Sequence, residues 1–179
     1  MSSQLRVDKI LPVDGAPTGG GGGIIQVQSA TITGTFENDS ETFADVTGVT
    51  VTITPKFNTS KMLIMYNGCA GMESTNRMGH IRIVRVVGGT TTTDIYVGDA
   101  ASNRARASST FAGSQNYFME SFSGTFMDSP ATTSAVTYKM QVAAGDAGYK
   151  VNIGKDDEGS DEYSRGRVPT SIRVMEVSA

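Results

Sequence analysis

Cys69 and His80 are the one thiol–imidazole pair this 179-residue chain can offer, because each is the single residue of its kind. Nucleophilic catalysis needs a base held beside its nucleophile, with a third group orienting the base. Here Cys69 closes an apolar run and His80 opens the next one across a loop. That placement describes a small buried hydrophobe and a loop-flanking imidazole rather than a dyad. No Gly-x-Ser-x-Gly elbow is present, one cysteine cannot form an intrachain disulfide, and Cys69 with His80 cannot complete a zinc cage.

The acids Asp156, Asp157, Glu158, Asp161 and Glu162 crowd one stretch, as a calcium site would require, but their spacing is not that of an EF-hand loop. Flanked by Lys155 and Arg165, they predict a solvated acidic loop. Paired carboxylates for glycoside hydrolysis would need a cleft with aromatic subsites, and the chain has no tryptophan. The run Gly19, Gly20, Gly21, Gly22 and Gly23 lacks the Lys-Ser/Thr of a phosphate loop and reads as a hinge. Arg104 and Arg106 share one face of an extended segment and could meet an anionic partner or line an interface. The inventory predicts no enzyme, no cofactor and no metal.

Charge and hydropathy exclude further classes. Fifteen Lys and Arg against 18 Asp and Glu leave a formal charge of −3, which offers no basic field for nucleic acid. No run of about 18 apolar residues could cross a membrane, and the opening residues do not resemble a signal peptide, so a soluble protein assembled in the cytoplasm is expected.

The elements that must position these groups are strands. Glycine is frequent at 21 residues, threonine, serine and valine are abundant, and hydrophobicity alternates with period two from Ile24 onward. Strands are predicted at 24–33, 41–45, 49–54, 61–69, 79–87, 92–97, 104–111, 117–126, 135–143, 149–153 and 171–177. So many short strands make a sandwich or barrel over 24–179. Val49, Val51 and Ile53 share one face, as do Phe118, Phe122 and Phe126, and Val136, Tyr138, Met140 and Val142. The strands at 61–69 and 79–87 are apolar on both faces, so they are central or their outer face meets another subunit. Met62 or Met65, whichever points inward, belongs to the core. A homo-oligomer is expected, since one sandwich interior covers only one face of each sheet.

Residues 1–23 are a separate N-terminal arm. Leu5, Val7, Ile10, Leu11 and Val13 supply apolar contacts, Pro12 and Pro17 discourage a helix, and the five glycines form the swivel. Twenty-three residues reach at most about 75–80 Å, enough to cross onto a neighbouring molecule.

Several phrases carry a family resemblance: 3–12 (SQLRVDKILP), 24–28 (IIQVQ), 45–55 (DVTGVTVTITP) followed by 60–64 (SKMLI), 128–130 (DSP) leading to 136–142 (VTYKMQV), and 172–177 (IRVMEV). Over nearly its whole length the chain resembles small virion structural proteins of tailed phages of marine cyanobacteria. The resemblance implies an all-β, jelly-roll-like β-sandwich, trimeric as in fibre tips and knobs or placed as a capsid decoration. It further implies attachment to other virion proteins through the N-terminal arm, and loops that protect the particle or touch a host surface glycan or receptor. It carries over no catalytic residue. The alternative is a soluble carbohydrate- or receptor-binding β-sandwich module using loops 98–116 or 154–167, with Tyr149 or Tyr163 as platforms.

Overall fold

The computed structural model describes residues 23–158 and 160–178. The proposed contact residues Leu5, Val7, Ile10, Leu11 and Val13, with Gly19 to Gly22, lie outside the described residues. Among those described there are eleven strands and no helix: β1 (Ile24–Ile32), β2 (Phe36–Asn38), β3 (Ala44–Ile53), β4 (Lys61–Met72), β5 (Met78–Val87), β6 (Thr91–Ile95), β7 (Ser109–Ala112), β8 (Met119–Asp128), β9 (Val136–Ala144), β10 (Val151–Ile153) and β11 (Thr170–Val177). Every pairing is antiparallel.

Two sheets result. In the first, β4 is flanked by β8 on one edge, and its other edge takes β11 along residues 61–67 and β10 along 70–72. Strand β1 extends the sheet beyond β11, and β2 extends it beyond β10. In the second sheet β9 joins β3 to β5, while β6 and β7 share the far edge of β5. Lettering β1, β3, β4, β5, β6 with β7, β8, β9 and β11 from B to I gives B-I-D-G against C-H-E-F. That connectivity is a jelly roll, two interleaved Greek keys wound around one core.

Alternation explains the core. Val49, Val51 and Ile53 of β3, Met62, Ile64 and Tyr66 of β4, Ile81 and Ile83 of β5, and Val136, Tyr138, Met140 and Val142 of β9 are buried, with Ile172 and Val174 of β11 facing them. Met62 is thus the inward methionine, while Met65 is exposed. Both doubly apolar strands, β4 and β5, are central in their sheets.

Local departures from expectation have local causes. The stretches predicted separately at 41–45 and 49–54 are one strand, β3, interrupted where the register jumps between Asp45 and Thr50. Gly48 sits there at φ +84°, a conformation that turns the chain without ending the strand. Of the strand predicted at 104–111 only Ser109–Ala112 pairs, because the preceding residues close a loop on themselves. Phe118 precedes β8 and is exposed, its ring edge-on to Tyr117, whereas Phe122 and Phe126 enter the core.

Polar side chains also clamp the two sheets together. Arg85 of β5 meets Asp128 of β8 at 2.6 Å, and the Tyr138 hydroxyl donates to the other Asp128 oxygen at 2.8 Å. Burial beside that carboxylate drives the Tyr138 phenol far above its ordinary range. Tyr66 of β4 reaches Ser109 of β7 at 2.7 Å. Gly124 makes room for the Tyr66 ring, since a Cβ there would lie 2.4 Å from it.

Candidate functional site

The sheets separate Cys69 from His80. Cys69 faces outward from β4, partly exposed, with its sulfur 3.4 Å from the Ser121 hydroxyl. His80 faces outward from β5 in the opposite sheet. A sandwich interior about 10 Å thick therefore stands between their backbones, and no dyad forms. The expectation of a buried Cys69 is corrected: its side chain belongs to the outer row of β4.

The acidic stretch is less solvated than its composition predicts. Asp156 is buried 3.8 Å from Arg165, Glu158 pairs with the same guanidinium, and Asp157 accepts a hydrogen bond from Asn152 at 2.8 Å. Asp161 and Glu162 are exposed. Among the described residues no three His, Cys, Asp or Glu side chains converge as a metal site.

The two outer sheet faces differ in chemistry. At the centre of the C-H-E-F face a group of polar side chains answer one another. Arg82 donates to Gln141 at 2.7 Å and to Asp94 at 3.1 Å, and both Gln141 and Lys139 donate to Asp45 at 2.7 Å. Burial pushes the Asp45 carboxyl upward, but the bonds from Lys139 and Gln141 outweigh it and hold the group below its ordinary value. Thr52 and Thr137 pair their hydroxyls beside this network.

The B-I-D-G face carries an apolar ribbon. Register aligns Val27 with Met175, Met175 with Leu63, and Leu63 with Met127, so four apolar side chains cross four strands in one line. Its ends stand open, Val27 at 49% and Met127 at 48% exposure. Ile24 pairs with Val177 one row away, and Met65 follows Leu63 on the same face of β4. The sequence signal was present as a strand apolar on both faces and a methionine count of 9, but the alignment of four distant strands was not.

At the other end of the C-H-E-F face a cleft of about 680 Å³ is lined by Glu41, Phe43, His80, Asn103, Arg104 and Thr110, with small residues at 105, 144 and 145. Three pieces of backbone build it. Asn38 donates to Thr42 and Val142 carbonyls, and Ala144 N–H donates to the Ser40 carbonyl, which fixes the segment bearing Glu41 and Phe43. Gly145 N–H donates to the Met78 carbonyl at 2.7 Å, bringing it against His80. The loop bearing Asn103 and Arg104 is tied by Ser108 N–H to the Ile81 carbonyl at 2.7 Å and by Arg106 Nε to the Gly98 carbonyl at 2.9 Å.

Arg104 and Arg106, whose spacing allowed either a shared anion site or a solvated or interface-lining face, go separate ways. Arg106 is engaged with its own loop, while Arg104 lines the cleft. Asn103 lies in the loop 98–116 that the sequence offered as a binding loop, whereas Glu41 and Phe43 fell in the stretch predicted as a strand and carried no signal of a site, because β3 begins only at Ala44. Neither Tyr149, which is covered by Arg77 at 4.2 Å, nor the fully exposed Tyr163 lines that cleft.

No protein-family model matches the chain, and no curated protein matches it. Among solved structures, a chain in the structure of the infectious bursal disease virus Gt strain is similar with TM-score 0.44 and 11% identity, over 99% of this chain and 44% of that one. A chain from the Gx strain of the same virus is similar with TM-score 0.38 and 11% identity, over 87% and 38% respectively. The chain spans less than half the length of either.

Proposed function

We propose that the protein is a non-enzymatic structural subunit of a phage virion that self-associates through its B-I-D-G face and is anchored by its N-terminal arm. The observation that carries the assembly role is the ribbon Val27, Met175, Leu63 and Met127, opposite a face whose centre is a polar network of Arg82, Gln141, Asp45 and Lys139. An apolar row that crosses four strands of a sheet and stands open at both ends is costly in water and is relieved by burial against another molecule. The resemblance of the sequence to cyanophage virion proteins supports a particle location, as fibre tip, knob or capsid decoration, and a trimer as the assembled form.

The arm supplies attachment to other virion proteins through Leu5, Val7, Ile10, Leu11 and Val13. Five such side chains offer on the order of 7–15 kcal/mol on full burial, which ordering the segment largely offsets for one arm. Arms presented together by an oligomer recover useful strength through avidity. Residues 24–179 then form the projecting domain, with Gly19 to Gly23 as the swivel.

Two variants separate the parts of this reading. Deletion of residues 1–18 should leave a folded, soluble oligomer that no longer joins particles, and normal incorporation would refute anchoring. Val27→Glu with Met127→Glu, at the two open ends of the ribbon, should reduce the mass measured by light scattering to that of one chain while far-UV circular dichroism keeps its all-β form. An unchanged oligomer mass would remove the ribbon from the interface, and a wild type that is already monomeric at micromolar concentration would refute self-association altogether.

A further inference from the structure

We infer that the cleft on the C-H-E-F face is a binding subsite for one uncharged hexose unit of a glycan. This goes beyond the assembly role. It gives a carbohydrate contact a location that partly uses the loop 98–116 but not the tyrosines the sequence suggested.

The inference rests on a cleft whose polar lining is free of protein partners and open to a ligand. Elsewhere on this face Arg82, Gln141, Asp45, Lys139 and Asp94 satisfy one another. Among the described residues, the side chains of Glu41, Asn103, Arg104 and Thr110 have no hydrogen-bond or ion-pair partner, yet all four line one cavity. His80 joins them with a buried Nδ1 that also has no partner. Glu41, Asn103, Arg104 and Thr110 are exposed and face water, so they are free to exchange it for a ligand's hydroxyls, and the buried His80 Nδ1 is the one lining atom that neither a protein group nor open solvent serves.

The types of group select the ligand. Arg104 only donates, ionised Glu41 only accepts, and Asn103, Thr110 and neutral His80 each do both. Burial lowers the His80 pKa against the opposing pull of Asp146, so the imidazole is neutral near pH 7. One guanidinium and one carboxylate leave the lining with no net formal charge, which disfavours a purely anionic or cationic ligand. A sugar ring presents hydroxyls that donate and accept, together with apolar C–H faces. Phe43 offers an aromatic surface for the latter, held in place by Arg82 stacked 4.0 Å from its centroid. A volume near 680 Å³ lies within the usual range of about 300–1,000 Å³ for small-molecule sites.

His80 also provides the assay, because the chain has a single histidine and thus a single imidazole signal. The full chain is titrated with glucose, galactose, mannose and N-acetylglucosamine, each to tens of millimolar, and with sodium sulfate, while the His80 ring and the amides of residues 103–110 are followed by nuclear magnetic resonance. A saturable shift is expected with at least one sugar, weakened at least tenfold by Arg104→Ala and by Glu41→Ala, and retained by Arg106→Ala. Melting temperature and oligomer mass should be unchanged in these variants, which separates failure here from failure of the assembly role. Overturning results are no saturable shift with any of the four sugars, saturation by sulfate alone, or binding that survives Arg104→Ala and Glu41→Ala together.

Discussion

Asp128→Asn tests the clamp between the two sheets, next in sequence to Met127 of the apolar ribbon. The wild-type carboxylate faces Arg85 at 2.6 Å and accepts the Tyr138 hydroxyl at 2.8 Å, and only 11% of its side chain and 19% of that of Arg85 remain exposed. Asparagine keeps the shape and an acceptor for Tyr138, but it leaves the Arg85 charge without a counter-ion in a mostly dry place. Removing one member of a buried pair costs about 3–5 kcal/mol, and the residual solvent contact of Arg85 points to the lower end, about 3 kcal/mol. For a domain of this size each kcal/mol moves the melting temperature by roughly 2–4 °C, so a fall of about 6–12 °C is expected. Adding Arg85→Met should restore much of the loss, because the penalty lies in the unpaired charge rather than in the missing bond. Differential scanning calorimetry on the two single variants and the double variant closes the cycle. A melting temperature within about 2 °C of wild type for Asp128→Asn, or a double variant less stable than both singles, would refute the assignment.

Glu176 is buried; burial pushes its carboxyl upward, but hydrogen bonds from Gln26 and from the backbone N–H groups of Lys56 and Phe57 outweigh this and hold it below its ordinary value. Its contribution is therefore present above the unfolded pKa of about 4.5 and lost as pH falls through the folded value, so the stability gap between wild type and Glu176→Gln should narrow below about pH 4.5; a gap constant down to pH 3 would contradict this. Gly124→Ala places a methyl 2.4 Å from the Tyr66 ring and should cost about 1–3 kcal/mol in chemical denaturation, with Ser123→Ala on the outer face as a near-neutral control. Calcium at millimolar concentration should leave the melting temperature unchanged, because Asp156, Asp157 and Glu158 already have protein partners; a reproducible rise would reveal a site through linkage.

Alternation was readable from sequence because a strand's two faces are decided locally. The inward sets Val49, Val51, Ile53 and Val136, Tyr138, Met140, Val142 needed only the period of two, and the all-β class followed from their number. One short strand and one interruption were not readable, although β10, equally short, falls within the stretch predicted at 149–153. Strand β2, three residues long, contains no period to detect, and Gly48 looked like the end of a strand when its positive φ only bends one. Asp128, followed by Ser129 and Pro130, has the composition of a turn, yet it ends β8 opposite Met62 and points inward to meet Arg85. The surfaces depended on tertiary structure throughout. Val27, Met175, Leu63 and Met127 become one ribbon only when three antiparallel registers align, and a shift of one residue in any of them would send that strand's side chain to the opposite face. Likewise Glu41, His80 and the pair Arg104 and Thr110 come from three separate stretches, and what unites them is a cavity. Local sequence sets which way a side chain leaves its strand; its neighbours across the sheet are set by long-range pairing, and that is where this protein's candidate functions reside.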